Sequence, residues 1–498
     1  MRKKNDMIKR VLAIILIVAL FAMMIISVII SAIPMHAHAE ETADSYTFDI
    51  ELLEDEQALR VTQRLVFYND TGEHLDRVMF AVYGNMFRRE TTVMYETADA
   101  LPYGYNPGGG EFYSVKVNGQ EAEWGVVGEG EYFMRVACDA SPGDVCEFEF
   151  VFDVLITQNA AFLGVDQGCW RLSGFFPVLS VYKDGVWEGN SPVQHNRYTL
   201  TTPADYDARI TLPDMYMLAA TGAEECMSNG DGTSDWTISG ADIREFAVTI
   251  GRAWRCHSGE TAQGTRVNVY TADRDGDDAL REAIAAAEAC EEWFGGFPTD
   301  HIDFAETDLA VEMMSFPGLV WIDRDVFHEG GDGLIYYIRN GIAAQYFGIE
   351  VYSDPAADAW LGVSIPEYVT YLLYEELDGY EAFVDRMNEY FIDAVSVTMP
   401  SNLVMNADAV LFSQVQFTTV VRHRGAMAMH ELRVAMGKDV LIDALAMWRK
   451  EFANDRIVTE FDFLETLNKA TGRDWENFLT ELIFNIDEYS RSLPERYE

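Results

Sequence analysis

Two periodicities divide the chain. From Tyr46 to Glu54 and from Leu59 to Phe67 apolar and polar residues largely alternate, which predicts half-buried strands. Turn chemistry follows at Asp70-Thr71-Gly72, Asn106-Pro107-Gly108-Gly109-Gly110, Asn118-Gly119, Pro142-Gly143-Asp144 and Asn229-Gly230-Asp231-Gly232. Few long helical periods interrupt it, so residues 45–253 are expected to form an all-β saddle or sandwich. From about Trp254 the period lengthens. A short strand is expected at Val267–Tyr270, then a helix over Asp277–Phe294 with Asp277 as its cap and Gly295-Gly296 and Pro298 beyond its end. Further helices are expected over Leu334–Phe347, Tyr368–Leu377, Phe417–Met436, Val440–Phe452, Phe461–Ala470 and Trp475–Phe484, the last capped by Asp474. The fold class is therefore multi-domain α+β: an all-β part, then an α/β beginning that passes into a helical bundle over 254–498.

One stretch fits neither part. Val11–Ile33 is apolar apart from Ser27 and Ser31, and at about 1.5 Å per residue it is long enough to cross a bilayer. Arg2, Lys3, Lys4, Lys9 and Arg10 precede it, which places the N-terminus in the cytoplasm and the body outside. Ala37-His38-Ala39 offers a small-x-small cleavage site, so residues 1–39 are either a signal peptide or a retained membrane anchor. The body is then secreted or held at the outer face of the cell membrane.

Charge narrows the partners. The chain carries 36 Lys and Arg against 82 Asp and Glu, a net charge of −46. A body this acidic repels nucleic acid and anionic headgroups. The acidity serves solubility or an acidic binding face. An exported chain permits disulfides, and Cys138 and Cys146, flanking the Ser141–Asp144 turn, are the best-placed pair of the six cysteines; buried free thiols are the alternative. No CxxC pair is present, which argues against a cysteine zinc site.

The chemistry-bearing segment is IRNGIAAQYFGIEVYSDPAADAWLGVSIPEY, Ile338 to Tyr368. Gln345-Tyr346-Phe347-Gly348 and Trp360-Leu361 resemble the wrapping of the zinc site in the M1 family of metallo-aminopeptidases (gluzincins), whose pattern is HExxH, eighteen residues, then Glu. That register puts the two His positions at Asn340 and Ala344, the general-base Glu at Gly341 and the third ligand at Val363. Phe175–Tyr182, Ile210–Pro213, Ala219–Gly222 and Ile243–Ala247 are similar to segments of the family's N-terminal domain. The resemblance implies a β saddle followed by a thermolysin-like peptidase domain, without the additional C-terminal helical domain of the large aminopeptidases.

It also implies lost chemistry. Zinc needs three strong protein ligands and an open water position. An Asn amide is a poor ligand, Ala and Val offer no donor, and Gly341 takes no proton from water. The family's Gly-x-Met-Glu loop corresponds to Glu312–Gly318, where the amine-anchoring Glu falls on Ser315 beside Phe316. Its oxyanion-binding Tyr falls on Arg422, within Val420–Ala426. Asn340, Gly341, Ala344, Val363, Ser315, Phe316 and Arg422 are thus the expected cleft residues, with no catalytic group and no metal ligand among them. Arg422 either holds a ligand carboxylate or pairs with a nearby acid.

Other motifs are weaker. His328-Glu329 and His430-Glu431 lack a His three residues on. His423 and His430 lie two helical turns apart, about 10 Å, too far for one ion. Asp273–Asp278 departs from the EF-hand spacing and reads as a solvated turn. His74, His195, His257 and His301 are isolated in sequence.

Three functions follow. A pseudopeptidase without cofactor binds a peptide or protein partner through its former cleft. An active zinc aminopeptidase has relocated its ligands. A structural module docks to a membrane partner, with apolar side chains plugging the cleft.

Overall fold

The computed structural model describes residues 43–93, 100–128, 130–189, 199–272, 274–396 and 403–484, with backbone alone over 390–396. The apolar run 11–33 and the cleavage site at 37–39 lie outside them. No helix among the described residues is long and apolar enough to cross a membrane.

Alternation builds the first sheet as the sequence predicts. Along Ser45–Leu53 the side chains of Tyr46, Phe48, Ile50 and Leu52 are buried and Thr47, Asp49 and Glu51 are exposed. This strand lies inside an eight-stranded sheet, antiparallel to Ala58–Tyr68 and parallel to Ala204–Pro213. The sheet ends on one side at Ala223–Ser228 and on the other at the hairpin of Gly109–Val117 with Gln120–Glu121. Asn118 and Gly119 turn that hairpin with φ of 50° and 75°, conformations that favour these two residues. Two four-stranded sheets share its core. At the centre Tyr46 stacks on Tyr206 with centroids 4.8 Å apart, and Phe176 meets Phe48 edge-on at 4.8 Å.

The turn at Ser141–Asp144 does not close a hairpin. It passes the chain from Phe133–Ala140 in a four-stranded sheet to Val145–Leu155 in the eight-stranded one. Cys138 and Cys146 therefore sit in different sheets, and all six thiols are free.

The second region starts with a five-stranded sheet in the order Arg255–Glu260, Arg266–Thr271, His301–Thr307, Leu319–Asp323, Met313–Phe316. The last strand is an edge, antiparallel to its neighbour. Helix α1 (Asp277–Phe294) follows the second strand; its cap is Gly276, because the Asp277 carboxylate is engaged with His257 Nδ1 at 2.8 Å. Then come α2 (Arg324–Glu329), α3 (Gly331–Tyr346), α4 (Ala359–Asp378) and α5 (Tyr380–Ser396). Helix α6 (Gln414–Phe417) runs through a π-helical turn, Thr418–Arg424, into α7 (Gly425–Met436). Helices α8 (Lys438–Phe452), α9 (Glu460–Thr471) and α10 (Glu476–Phe484) complete the bundle.

Helix α4 departs most from expectation. It starts at Ala359 and contains Pro366, where the sequence pattern predicts a start at Tyr368. A proline inside a helix removes one backbone donor and crowds the carbonyl four residues back. That residue is Gly362, whose carbonyl lies against Gly348. Val363 is consequently in the second turn of α4 and not ahead of it.

Candidate functional site

The motif residues around the expected metal position hold the frame together. Gln345 Oε1 accepts from Gly318 N at 2.9 Å, and its Nε2 donates to the Phe316 carbonyl at 3.1 Å, which ties α3 to the edge hairpin bearing Ser315. Phe347 stacks on Trp448 at 5.9 Å and Tyr346 meets Phe294 at 5.5 Å. Gly348 has φ of 105°, and a Cβ there would come within 2.6 Å of the Gly362 carbonyl, so only glycine fits. Trp360 packs edge-on against Phe463. These contacts set the end of α3 beside the start of α4.

Helices α3 and α4 run antiparallel, with Asp332 facing Tyr374 at one end and Asn340 facing Glu367 and Thr370 further along. Asn340 is buried, and its Nδ2 donates to Glu367 Oε2 at 3.3 Å and Thr370 Oγ1 at 3.1 Å. Glu367 is the hub and is wholly buried. It accepts from Tyr336 Oη at 2.7 and 2.8 Å and from Tyr371 Oη at 2.7 Å. Arg422, on the π-helical turn, brings Nη1 within 3.5 Å of Glu367 Oε2 and 3.4 Å of Tyr336 Oη. Burial works against the Arg422 charge, but Tyr336 and Glu367 outweigh it and raise its pKa above the ordinary guanidinium value.

The turn that carries Arg422 is fixed by close approach. Ser364 Oγ on α4 donates to the Val421 carbonyl at 2.7 Å, and a Cβ on Gly425 would fall within 1.9 Å of that Ser364 oxygen. A π-helical turn leaves backbone groups out of the usual ladder and re-aims side chains. Next to it His423 is buried, and burial followed by the Arg422 charge lowers its pKa to about 4. His430 on α7 is also lowered to about 4, first by burial and then by Arg433; its Nδ1 lies 3.0 Å from Tyr368 Oη.

The remaining sequence-predicted residues fall around this network. Ser315, Ala344 and Val363 are half-buried, as is Arg422, while Phe316 is buried. Glu312 is exposed just ahead of the edge strand. Gly341 faces the sheet: a Cβ there would stand 3.0 Å from Val320 Cγ2 and 3.3 Å from Phe304 Cε1. The partners of the Asn340 side chain are polar, Glu367 and Thr370.

The donor set does not suit zinc. Ala344 and Val363 carry no ligand atom, and Asn340 turns its amide N–H groups toward Glu367 and Thr370. Glu367, the carboxylate bonded to Asn340, is spent on two tyrosine hydroxyls, that amide and a guanidinium. Sequence reasoning missed Glu367, Tyr336, Thr370 and Tyr371. Their signal is helical spacing: Tyr336 is one turn before Asn340, and Glu367 is one turn after Val363.

Comparison with known proteins agrees with this architecture. The M1 zinc metallopeptidase of Deinococcus radiodurans superposes with a TM-score of 0.65 at 15% identity, covering 90% of this chain and 95% of that one. The chain has the fold of an M1 zinc metallopeptidase. A mutant of the Deinococcus enzyme superposes at TM-score 0.64 and 16% identity over 89% of this chain and 94% of that one. A mutant bound to a Tyr-Ser-Ala substrate gives 0.63 at 15% identity over 88% and 93%. No protein-family model and no curated protein matches the sequence. The M1-like fold thus carries at its helix pair a charge network built from its own side chains.

Proposed function

We propose that this protein is a non-catalytic M1-fold protein that binds a peptide or protein partner outside the cytoplasm. One observation carries the reading: a buried carboxylate, Glu367, bonded to Tyr336, Tyr371 and Asn340 and paired with Arg422, sits beside the expected ligand positions. A peptidase of this fold needs electrophilic and basic groups there. Asn340, Gly341, Ala344, Val363, Ser315 and Arg422 supply neither a ligand triad nor a base. Arg422 is engaged with Glu367, which favours the ion-pair role over a free carboxylate receptor.

Met313–Phe316 is a sheet edge beside half-buried Ser315, and an extended peptide adds to such an edge by main-chain hydrogen bonds. The apolar run 11–33 with its basic flank supports placement at the outer face of a membrane, as an anchor or a removed signal.

The test is hydrolysis of a panel of aminoacyl-4-nitroanilides with and without 1,10-phenanthroline. No chelator-sensitive release is expected from the parent. Release that chelator abolishes and that Glu367→Gln also abolishes would support the rival reading, an aminopeptidase with relocated ligands. Membrane fractionation of the full chain, before and after deleting 11–33, checks the placement; a parent found only in the cytoplasm refutes it.

A further inference from the structure

A second buried polar cluster lies away from the helix pair, where the eight-stranded sheet meets the five-stranded one. Glu224 comes from Ala223–Ser228, the outermost strand of the larger sheet; His301 and Asp303 come from His301–Thr307 in the smaller. Each offers one ligand atom, and the three atoms lie within 4.8 Å of one another. His301 is 2% exposed and Asp303 is not exposed at all.

Asp303 is only half satisfied. Its Oδ1 accepts from Asn268 Nδ2 at 2.8 Å, and Asn268 is held in that orientation because its own Oδ1 accepts from Ser258 Oγ at 2.7 Å. The buried Oδ2 has no N–H or hydroxyl donor and faces the Glu224 carboxyl instead. The ligand atoms of the two carboxyls lie within 4.8 Å of each other. Among the described residues no Lys or Arg pairs with Glu224 or Asp303. Two carboxylates this close, one half-exposed and one wholly buried, favour a compensating positive charge.

The imidazole decides what kind. His301 is 2% exposed and brings a ring nitrogen to within 4.8 Å of both carboxylates, and a neutral imidazole offers the lone pair a metal takes. Its Nε2 lies 3.4 Å from the Ala220 carbonyl, and Ala220 N donates to Glu224 Oε1 at 3.0 Å. One turn, Ala220–Glu224, thereby frames both groups. Orienting partners of this sort, a carbonyl beside the His and an amide on the carboxylate, are the usual outer shell of a metal site. A cavity of about 220 Å³ lined by Gly222, Ala223, Asp300 and His301 runs alongside and offers an entry path.

We propose that Glu224, His301 and Asp303 bind one divalent transition-metal ion, clasping the edge of the β-rich region to the central strand of the second sheet. Two carboxylates and one imidazole suit zinc or manganese. Because ligands come from both regions, the ion is a structural tie.

The test uses the full chain, stripped with chelator, dialysed and titrated with zinc chloride in a calorimeter, with metal content counted by mass spectrometry. One zinc per chain is expected, together with a higher Tm when loaded. Glu224→Gln, on a half-exposed residue that tolerates change, is expected to weaken binding at least tenfold; Asp303→Asn is expected to do the same if it folds by circular dichroism. No uptake by the parent, or equal uptake by Glu224→Gln, overturns the proposal. Zinc lost in Asn340→Ala but kept in Glu224→Gln overturns it too, and refutes the non-catalytic reading as well. Zinc lost in Glu224→Gln and kept in Asn340→Ala supports both.

Discussion

Two buried carboxylates in this molecule meet opposite fates. Glu367, between α3 and α4, has four donors around it, one of them a guanidinium. Asp303, between the two sheets, has one amide donor and a second carboxylate for company. Position in the fold does not explain the contrast, since both are wholly buried. The difference is what neutralises the charge: side chains at the first site, and at the second an ion or proton from outside. A fold shared with M1 zinc metallopeptidases thus has a self-sufficient network near the expected position and an unfinished one elsewhere.

That contrast breaks most visibly at Arg422. Arg422→Met leaves Glu367 buried beside neutral donors only and is expected to cost on the order of 3 kcal/mol in urea unfolding. Adding Glu367→Gln removes the stranded charge and should restore most of the loss. If the single variant loses less than about 0.5 kcal/mol, the ion pair does not balance the site.

Acid comes next. His423 and His430 have folded pKa values lowered to about 4, below the ordinary 6.5. Stability from keeping them neutral is present above pH 6.5 and is lost as pH falls toward 4, by roughly 2–3 kcal/mol each. Thermal melts between pH 7 and 4 check this. A double His423→Gln, His430→Gln variant should show a flatter profile, and an unchanged slope would dissociate these histidines from the acid sensitivity.

Asn340→Ala removes two hydrogen bonds to buried acceptors and is expected to cost about 1–2 kcal/mol. Glu224→Gln, without added metal, is expected to change stability by less than about 1 kcal/mol in either direction, because it relieves a like-charge contact while losing none to a cation. Equal destabilisation by Asn340→Ala and metal-free Glu224→Gln would erase the contrast between the sites.

The periodicities made much of the fold legible. Tyr46, Phe48, Ile50 and Leu52 alternate and are buried as a set; α1 runs from Asp277 to Phe294 as its pattern and the two glycines predict. What misleads is local chemistry read without its tertiary context. The pattern starts a helix at Tyr368, yet α4 already runs from Ala359 through Pro366. The Ser141–Asp144 turn pairs Cys138 with Cys146 on paper, yet the strands it joins lie in different sheets. At the site, Asn340 and Arg422 are found through the family register, but Glu367 between them is not, although a lone acid in the apolar helix Trp360–Leu373 asks for partners one turn away. His301 is isolated in sequence because its partners Glu224 and Asp303 converge only when two sheets meet.

The single parallel strand pair of the eight-stranded sheet bears on biosynthesis. Ser45–Leu53 can complete its second edge only with Ala204–Pro213, so a nascent chain leaves that edge unsatisfied for on the order of ten seconds of translation. Through that interval a strand alternating Tyr, Phe, Ile and Leu with polar residues offers its open edge to any neighbouring strand. The surplus of acid along the rest of the chain then works as a safeguard during synthesis, keeping half-made copies apart until the partner strand emerges.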